Sequence, residues 1–434
     1  IYLVILISSA VCKPADARSS GIVEPVRKIT LQAWMTKSET RGIMSALQAD
    51  SAPARFVGGC VRDTLLGRPV KDIDIATAEP PERVVALIEK AGFRAVPTGI
   101  AHGTVTAVVG AAHFEITTLR HDVETDGRRA RVAFTDDWVA DAERRDFTFN
   151  AIFCDDDGTL YDPTGGLADL EAGRVRFVGT ALERLREDVL RLMRFFRLHA
   201  YYGTTSPETD ALEACRAMAP QIANLSIERV WGELRRLLQA PDPVSVLDLM
   251  ETWDVLPHVL PEAGDRIRLA RLVEIERRVE ISADDIRRLA ALLQTDASGA
   301  AALVGRLRLS NAEAKRLTAL AVPVQWPTAH VGEKRNRVVL YRVGADIFVD
   351  LVLLGWAADD PGDRTRDNAW QALMTLPARA PVLAFPLSGK DVLGLGVPAG
   401  TRVGELLEAV EQWWIGQDFA PDQASCLDHL RGLI

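Results

Sequence analysis

The hydrophobic pattern of this chain changes near Leu167, and the change limits the folds open to it. Ahead of that point, short apolar runs with the two-residue period of β-strands alternate with turns and helical segments, at residues 54–57, 72–76, 104–109 and 113–119. Beyond it, long stretches with helical period dominate, at residues 181–202, 207–219, 227–238, 243–253, 284–293 and 311–322. The pattern predicts an α+β region followed by an elongated all-α region.

Length and cysteine content narrow the class of protein further. A chain of 434 residues is expected to form about two to four folding units. The five cysteines are scattered and never spaced as CxxC, which disfavours a disulfide framework or a cysteine zinc site and favours a reducing compartment, the cytoplasm. The first residues, IYLVILISSAVC, are similar to a signal-peptide core that lacks a basic start. We interpret them as a translation-start artefact ahead of Met35, with a cleaved signal as the alternative.

The charge balance argues against a surface that binds nucleic acid everywhere. The chain has 51 basic and 60 acidic residues and a net charge of −9, whereas a basic excess is usual for such surfaces. Arginine nevertheless concentrates in residues 120–145 and 184–197, and acidic residues collect in 403–434. This distribution predicts a confined basic groove on an acidic protein.

Two aspartates in a predicted strand are the first candidates for chemistry. Asp72 and Asp74 are two residues apart, which places both carboxylates on one face of a sheet. Glu115, between apolar Phe114 and Ile116 of a later strand, could add a third carboxylate to that face. Carboxylates this close repel unless a cation lies between them, and Mg²⁺ suits such ligands. A trio of this kind could support two-metal phosphoryl transfer, while a lone aspartate pair is more often a solvated acidic edge.

A glycine turn precedes the acidic strand by about a dozen residues. Gly58 and Gly59 allow a ligand to approach the backbone closely, and the helix that follows offers free N–H groups to a phosphate. Arg62 in the first turn of that helix can add a charge-assisted contact. The combination is the pattern of a polymerase-β-like nucleotidyltransferase, and an ordinary strand–turn–helix corner is the alternative.

These residues and several later motifs resemble the bacterial tRNA nucleotidyltransferase and poly(A) polymerase family. The first motif is GGCVRD at 58–63 with DID at 72–74. The later motifs, in order, are RRDFTFNA at 144–151, DPTGG at 162–166, EDVLR at 187–191 and LSGKD at 387–391. The resemblance is dense from about residue 54 to residue 260 and sparse beyond it.

The resemblance implies a role for each matching position. Asp72 and Asp74 would bind the metal, Mg²⁺, and Glu115 would assist the attacking 3′-hydroxyl. Contacts to the phosphates and sugar of the incoming nucleotide would come from Gly59, Arg62 and Arg145. The nucleotide pocket would be lined by Asp188, Arg191, Arg194 and Arg197.

A helix predicted over residues 181–202 offers a physical basis for reading the base. Residues three apart on a helix are neighbours, so Asp188, Arg191 and Arg194 would share a face. A carboxylate only accepts hydrogen bonds and a guanidinium only donates them. Such a pair matches the amino donor and ring-nitrogen acceptor of cytosine and adenine, and it mismatches the keto acceptor and N–H donor of guanine and uracil. The alternative is a helix face of i,i+3 ion pairs, such as Asp188 with Arg191.

The family also uses a flexible loop after the third carboxylate, and a charged segment occupies that place here. We predict that this loop includes Arg120, Asp122, Asp126 and Arg128, with Gly127 favouring mobility. Ala130 stands where relatives often carry proline. Because enzymes that add only CC tend to lack the loop, its presence favours addition of the full CCA. A surface hairpin with mixed charge is the alternative.

The resemblance implies a nucleotidyltransferase head followed by a helical neck, body and tail. We predict an extension of uncertain role at 1–34, the head at 35–155, the neck at 156–225, the body at 226–330 and the tail at 331–434.

The leading hypothesis is Mg²⁺-dependent, template-independent addition of CCA to tRNA. Its partners are the tRNA 3′ end, CTP and ATP, with neither membrane nor DNA. Alternatives are a poly(A) polymerase, an enzyme that adds part of CCA, and a non-catalytic RNA-binding protein with a degenerate head. A poly(A) polymerase would be expected to have a basic C-terminal extension, whereas residues 403–434 are acidic. The presence of Asp72, Asp74 and Glu115 argues against a degenerate head.

Overall fold

The computed structural model of the protein describes residues 23–126, 129–329, 332–359, 364–380 and 384–434. The chain divides into two compact units, with the division between Asn224 and Leu225. Within the described residues, every named β-strand belongs to the first unit and the second unit is helical. This confirms the predicted change from an α+β to an all-α architecture. None of the helices in these residues combines the length and the apolar character needed to cross a bilayer.

A mixed sheet is the framework of the first unit. The strands of this unit are β1 Pro25–Lys28, β2 Ala54–Val57, β3 Ile73–Thr77, β4 Arg94–Gly99, β5 Thr104–Val109, β6 Ala112–Thr118, β7 Arg120–Asp126, β8 Arg129–Phe134, β9 Phe153–Cys154 and β10 Thr159–Tyr161. The strands β7 and β8 form a separate hairpin, and the other strands form the mixed sheet. The spatial order of the sheet is β1-β10-β9-β2-β3-β6-β5-β4. Neighbours are antiparallel, except that β3 and β6 are parallel.

The predicted strands are confirmed because the strand period buries one face of each. The strands β2 and β5 have the predicted bounds, and β3 and β6 each differ by one residue. Phe56, Ile75 and Ile116 are fully buried on these strands and form part of the core. The sequence did not predict β1, β4, β9 or β10, which are short or largely exposed and give a weak alternating signal.

The strand β1 brings residues ahead of Met35 into the sheet. It pairs with β10, and the Ile29 N–H donates to the Gly158 carbonyl at 2.9 Å. Lys28 also contacts Asp157, with Nζ and Oδ2 2.6 Å apart. Part of the predicted extension therefore belongs with the sheet, while the predicted boundaries between head, neck, body and tail stay predictions.

Short helices accompany the sheet. They are α1 Ala33–Thr36, α2 Ser38–Leu47, α3 Gly59–Leu65, α4 Pro81–Lys90, α5 Trp138–Glu143, α6 Gly166–Glu171, α7 Ala181–Glu187, α8 Leu190–Tyr202 and α9 Thr209–Met218. Pro81 occupies the first turn of α4, where its missing N–H has no helical partner to lose. The helix α3 contacts β2 and β3, so the glycine turn lies beside the acidic strand.

The predicted helix over residues 181–202 is two helices, so that prediction is wrong. Asp188 separates α7 from α8 and has an extended backbone, with φ −150° and ψ 106°. Its Oδ1 accepts the Leu190 N–H at 3.0 Å. An aspartate carboxylate competes for the free N–H groups of a helix start, so Asp188 ends α7 and accepts the N–H of the first residue of α8. Asp188 therefore does not share a helical face with Arg191 and Arg194.

The segment predicted as a flexible loop forms the β-hairpin β7–β8. The backbone register places Glu124 opposite Arg131 and Asp126 opposite Arg129. This agrees with the alternative interpretation of a hairpin with mixed charge. Arg128 lies outside the described residues, and the side chains of Asp122 and Asp126 lie outside them as well.

The second unit consists of helices that confirm the helical periods at 227–238, 243–253, 284–293 and 311–322. They are α10 Ile227–Leu238, α11 Val244–Thr252, α12 Leu256–Val259, α13 Arg266–Arg278, α14 Asp285–Leu292, α15 Ala297–Leu307, α16 Asn311–Ala321, α17 Glu333–Val343, α18 Ala345–Ala358, α19 Arg364–Met374, α20 Leu376–Arg379, α21 Gly389–Gly394, α22 Thr401–Gly416 and α23 Gln423–Arg431. A separate apolar cluster near the C-terminus includes Val410, Trp414 and Leu430.

A buried ionic network joins four of these helices. Arg287 on α14 lies 2.7 Å from Glu276 on α13 and 2.9 Å from Asp350 on α18. Asp350 also accepts from Arg316 on α16 at 2.7 Å, and Arg288 lies 2.7 Å from the other oxygen of Glu276. Except for Arg316, these side chains are almost fully buried. Loss of one side chain from such a network is strongly destabilising, because a charge is then left buried without its partner.

We expect Asp350→Ala to lower the free energy of unfolding of the second unit by about 3–5 kcal/mol, because it removes one of the two carboxylate partners of the buried Arg287 and a partner of Arg316. Urea titration followed by circular dichroism would measure the change. The matched control is Glu228→Ala, which removes an exposed ion pair with Arg308 and should leave the transition almost unchanged. Equal effects of the two substitutions would contradict the role given to the buried network.

Candidate active site

The parallel pairing of β3 with β6 brings the predicted carboxylates together. Asp74 stands directly beside Glu115 in the register of these strands, and Asp72 immediately precedes β3. Phe114 and Ile116 are buried whereas Glu115 is exposed, so Glu115 projects from the face opposite the core, as the alternation predicted. The result is an acidic group on one face of the sheet, next to α3.

Asp74 has the most perturbed electrostatic environment of this group. Burial and, after it, the negative charges of Glu115 and Asp72 raise the pKa of Asp74 to about 6. Arg145 and Arg62 oppose this shift with positive charge. The carboxylate therefore lacks enough nearby positive charge, which is the condition that a bound cation would correct.

The donor set fits a hard divalent cation that is completed by other ligands. Among the described side chains, no cluster of three or more His, Cys, Asp and Glu residues is arranged to hold a metal by itself. The trio Asp72, Asp74 and Glu115 is therefore not a preformed cage. Mg²⁺ is usually held by one or two carboxylates together with water and substrate phosphates, a requirement that Asp72 and Asp74 can meet.

The glycine turn lies against the acidic group. Gly58 has φ +76°, a left-handed conformation that favours glycine, and it precedes the first residue of α3. A side-chain carbon at Gly58 would lie 3.4 Å from Oδ2 of Asp74. Gly59 opens the helix. The turn thus keeps the backbone close to the carboxylates without side-chain bulk between them.

Arg62, predicted to contact the nucleotide, is buried and already has several protein partners. Its Nε and Nη2 donate to the two oxygens of Asp63, both at 3.1 Å, and its Nη1 donates to Oδ1 of Asn150 at 2.8 Å. The guanidinium carbon also lies 4.2 Å from the ring centre of Tyr202. These contacts fix the orientation of Arg62 before any ligand binds.

Arg145 is held by Asp141, a buried residue that sequence reasoning missed. One carboxylate oxygen of Asp141 accepts from Arg145 at 2.8 and 3.1 Å, and the other accepts from Arg144 at 2.5 and 2.8 Å. The backbone N–H of Arg120, at the foot of the hairpin, also donates to Asp141 at 3.3 Å. Although burial opposes the shift, the two guanidinium groups hold the pKa of Asp141 below its usual range.

The predicted base-reading arginines also have acidic partners. Arg191 pairs with Glu187, which also lies 2.6 Å from Arg184. The ion pair suggested between Arg191 and Asp188 stays a prediction. Arg194 donates to Oδ2 of Asp146 at 2.5 and 2.7 Å. The structure therefore ties Arg191 to the last residue of α7 and Arg194 to a carboxylate of the RRDFTFNA motif. Arg197 lies in the same helix as Arg191 and Arg194.

Asp146 is a second residue whose role the sequence did not indicate. It belongs to the RRDFTFNA motif, and its Oδ1 accepts from Asn150 Nδ2 at 3.0 Å. Although burial works against ionisation, Arg194 and the hydrogen bond from Asn150 lower the pKa of Asp146 to about 2. The sequence shows only an acidic residue within an arginine-rich motif. That pattern does not identify the partner of Asp146, which becomes clear once the fold places Arg194 beside it.

Comparison with known proteins assigns both the sheet and the helices that follow it. Residues 54–176 match the family model described as the poly(A) polymerase head domain. Residues 206–266 match the model described as a probable RNA and SrmB-binding site of polymerase A. The first match includes the glycine turn, all three carboxylates and the RRDFTFNA motif.

Relatives and a solved structure extend the likeness over most of the chain. The mitochondrial CCA tRNA nucleotidyltransferase 1 of Danio rerio is 33% identical over 385 residues, 86% of each chain. The CCA-adding enzyme of Geobacillus thermodenitrificans is 33% identical over 377 residues, 85% of this chain and 90% of the relative. The crystal structure of the Bacillus stearothermophilus CCA-adding enzyme in complex with CTP is 29% identical, with a TM-score of 0.75 over 92% of this chain and 98% of that one.

Fold and site together define a nucleotidyltransferase with a head of the poly(A) polymerase type. Similarity over nearly the whole length of the relatives narrows this class. The chain belongs to the family of CCA-adding tRNA nucleotidyltransferases. Nucleotidyltransferases of this family are typically metal-dependent.

The raised pKa of Asp74 predicts a pH-dependent effect of removing its charge. Between its usual pKa and about 6 the folded protein holds a proton that the unfolded chain releases, so the Asp74 contribution to stability falls as pH rises through this window. In metal-free buffer, Asp74→Asn should therefore raise the free energy of unfolding at pH 7.5 by roughly 1–3 kcal/mol and give no gain near pH 3.5.

Thermal or urea unfolding in EDTA at the two pH values would measure this change. The matched control is Asp72→Asn, because Asp72 is exposed and its substitution should alter stability less. A loss of stability at pH 7.5 in Asp74→Asn would contradict the electrostatic description of the site.

Proposed function

We propose that this protein adds the sequence CCA to the 3′ end of tRNA, using CTP and ATP without a nucleic-acid template. The observation that carries the proposal is that the acidic group beside the glycine turn is intact in a chain of the CCA-adding family. The 3′-hydroxyl of the RNA attacks the α-phosphate of the nucleotide, a P–O bond forms, and pyrophosphate leaves with the electrons of the bond that breaks. Each cycle extends the RNA by one nucleotide.

The residues of the acidic group divide the chemistry between them. Asp72 and Asp74 would hold Mg²⁺, which when bound neutralises the triphosphate and lowers the pKa of the attacking hydroxyl. Glu115, which lies beside Asp74 in the sheet, would orient that hydroxyl and accept its proton. Gly58 and Gly59 let the triphosphate approach the backbone, where the start of α3 presents N–H groups.

Asp188 and Arg191 would read the base. The break between α7 and α8 places the carboxylate of Asp188 at the start of α8, and the Arg191 N–H donates to the Asp188 carbonyl at 3.0 Å. The acceptor of Asp188 and the donor of Arg191 match the amino group and ring nitrogen of cytosine or adenine. Uracil or guanine would leave buried polar groups unpaired, at a cost of about 1–3 kcal/mol for each group. Arg194, Arg197, Arg62 and Arg145 would surround the nucleotide.

The hairpin β7–β8 would serve the change from C to A. The hairpin joins β6, the strand that carries Glu115, to α5. Its first residue, Arg120, and the guanidinium of Arg145 both bind the carboxylate of Asp141. A rearrangement of the hairpin could therefore reach the nucleotide pocket through a shared carboxylate. This supports addition of the full CCA, and addition of CC alone would correspond to a hairpin that does not respond.

Incubation with tRNA that ends at its discriminator base tests the function. With Mg²⁺ present, we expect two additions from CTP alone and a third only when ATP is also present. Asp72→Ala should lower the rate of every addition by at least roughly a hundredfold while tRNA binding persists, because it removes a metal ligand rather than an RNA contact. EDTA should stop the wild-type reaction.

Denaturing gels at single-nucleotide resolution would identify the products, and filter binding would measure the tRNA affinity. Long adenosine tails would point to a poly(A) polymerase, and a single nucleotide type would point to partial addition. Near wild-type activity of Asp72→Ala would refute the assignment of the metal site.

We expect Asp188→Ala to reduce the preference for CTP over UTP by roughly tenfold or more, because the selecting acceptor is lost. The ratio of kcat/KM values for the two nucleotides measures this preference. Asp188 also accepts a backbone N–H at the start of α8, so Asp422→Ala, which removes a similar hydrogen bond at the start of α23 in the second unit, is the matched control. The hypothesis fails if Asp188→Ala discriminates as well as Asp422→Ala.

The cytoplasm, or another reducing compartment, is the proposed location. The four described cysteines, Cys60, Cys154, Cys215 and Cys426, are buried as free thiols, and burial raises the pKa of the Cys60 thiol to about 12. These thiols are therefore packing groups rather than reactive ones. Fractionation of cells with an antibody against the protein would test the location.

A further inference from the structure

Asn150 lies between Arg62, which is predicted to contact the nucleotide, and the carboxylate that holds Arg194, which is predicted to line the nucleotide pocket. Its Oδ1 accepts from Arg62 Nη1 at 2.8 Å, and its Nδ2 donates to Oδ1 of Asp146 at 3.0 Å. The other oxygen of Asp146 accepts from Arg194 at 2.5 and 2.7 Å. A continuous chain of hydrogen bonds therefore runs from Arg62 on α3 to Arg194 on α8.

An amide suits this position better than the other polar side chains of its size. Arg62 can only donate and Asp146, when ionised, can only accept, so the residue between them must accept on one side and donate on the other. An aspartate at position 150 would accept on both sides and repel Asp146. Asn150 is only 7% exposed, so an unmatched group there would not be rescued by water.

A second contact closes this chain into a ring. Tyr202, the last residue of α8, donates to Oδ1 of Asp63 at 2.9 Å and presents its ring to the guanidinium of Arg62. Asp63 in turn binds Arg62 through both of its oxygens. The helix α8 is thus connected to Arg62 near its start through Asn150 and at its end through Tyr202. The ring of contacts therefore links the position of Arg194 to that of Arg62.

We propose that Asn150 is a positioning residue that makes the grip of Arg62 on the nucleotide depend on the position of Arg194. This inference rests on the proposed function, because it takes both arginines as contacts of the nucleotide. When the correct base orders Arg194, the chain through Asp146 and Asn150 holds Arg62 in place. A wrong base that displaces Arg194 weakens the same chain, so discrimination is expressed in the contact to the nucleotide phosphates as well as in the base contact.

The first test compares wild type with Asn150→Ala and Asn150→Asp. Each substitution should lower kcat/KM for CTP by roughly tenfold to a hundredfold and reduce the CTP over UTP ratio by roughly tenfold. Asn150→Asp is nearly isosteric, so it retains the packing volume if Asn150→Ala is too unstable to study. Equilibrium binding of CTP and UTP would measure the corresponding ratio of dissociation constants.

The decisive variant is the exchange Asp146→Asn with Asn150→Asp. The exchange keeps the net charge and the number of side-chain atoms. The carboxylate at position 150 would accept from Arg62, and the amide at position 146 would donate to that carboxylate and accept from Arg194. The Phe147 N–H, which donates to Asp146 at 2.9 Å, loses its acceptor, so the recovery should be partial. Relative to Asn150→Asp alone, we expect the ratio of CTP to UTP to recover by roughly threefold or more.

The matched control is Asn336→Ala in the second unit. Asn336 is also buried and has two hydrogen bonds, to the backbone of Thr328 at 2.9 and 3.0 Å. Its loss should lower the melting temperature while leaving the CTP over UTP ratio unchanged. The inference is overturned if both Asn150 variants discriminate like wild type, if Asn336→Ala shifts the ratio equally, or if the exchange recovers nothing. A wild type that binds CTP over UTP but adds neither C nor A would refute the proposed function alone.

Discussion

The parallel alignment of β3 with β6 is the constraint on which the rest of the site depends. It places Asp74 and Glu115 side by side, and the negative charge of Glu115 contributes to the raised pKa of Asp74. An antiparallel or shifted register would separate these carboxylates, because a slip of one residue turns a side chain to the other face. The buried neighbours Phe56, Ile75 and Ile116 oppose such a slip, so the apolar core of the sheet fixes the geometry of the acidic group.

The arginines around this group are organised by carboxylates rather than left as a field of positive charge. Asp141 holds Arg144 and Arg145, and Asp146 holds Arg194. The sequence suggested a basic groove from the density of arginine, and the described contacts show that much of this charge is locally balanced. Because a paired guanidinium keeps unused donors and a fixed orientation, these arginines suit directional recognition of one nucleotide better than non-specific attraction of a phosphate backbone.

The sequence could predict the elements in which a strong period coincides with burial. The strands β2, β3, β5 and β6 and the helix α10 were recovered because their apolar residues face one core. The break at Asp188 could not be recovered, since a residue with modest helix propensity continues a helix or caps a new one according to tertiary contacts. The buried partners Asp141 and Asp146 were also missed, because an acidic residue shows its role only when the fold places an arginine against it.

The edge of the sheet has a consequence for how the protein is produced. Every residue of β1 is exposed, yet this strand covers the backbone of β10 through antiparallel pairing. A recombinant chain begun at Met35 would lack β1, and the N–H and C=O groups of β10 would become an open template for another chain. Self-association of such a shortened protein would then reflect a missing edge strand rather than a natural interface.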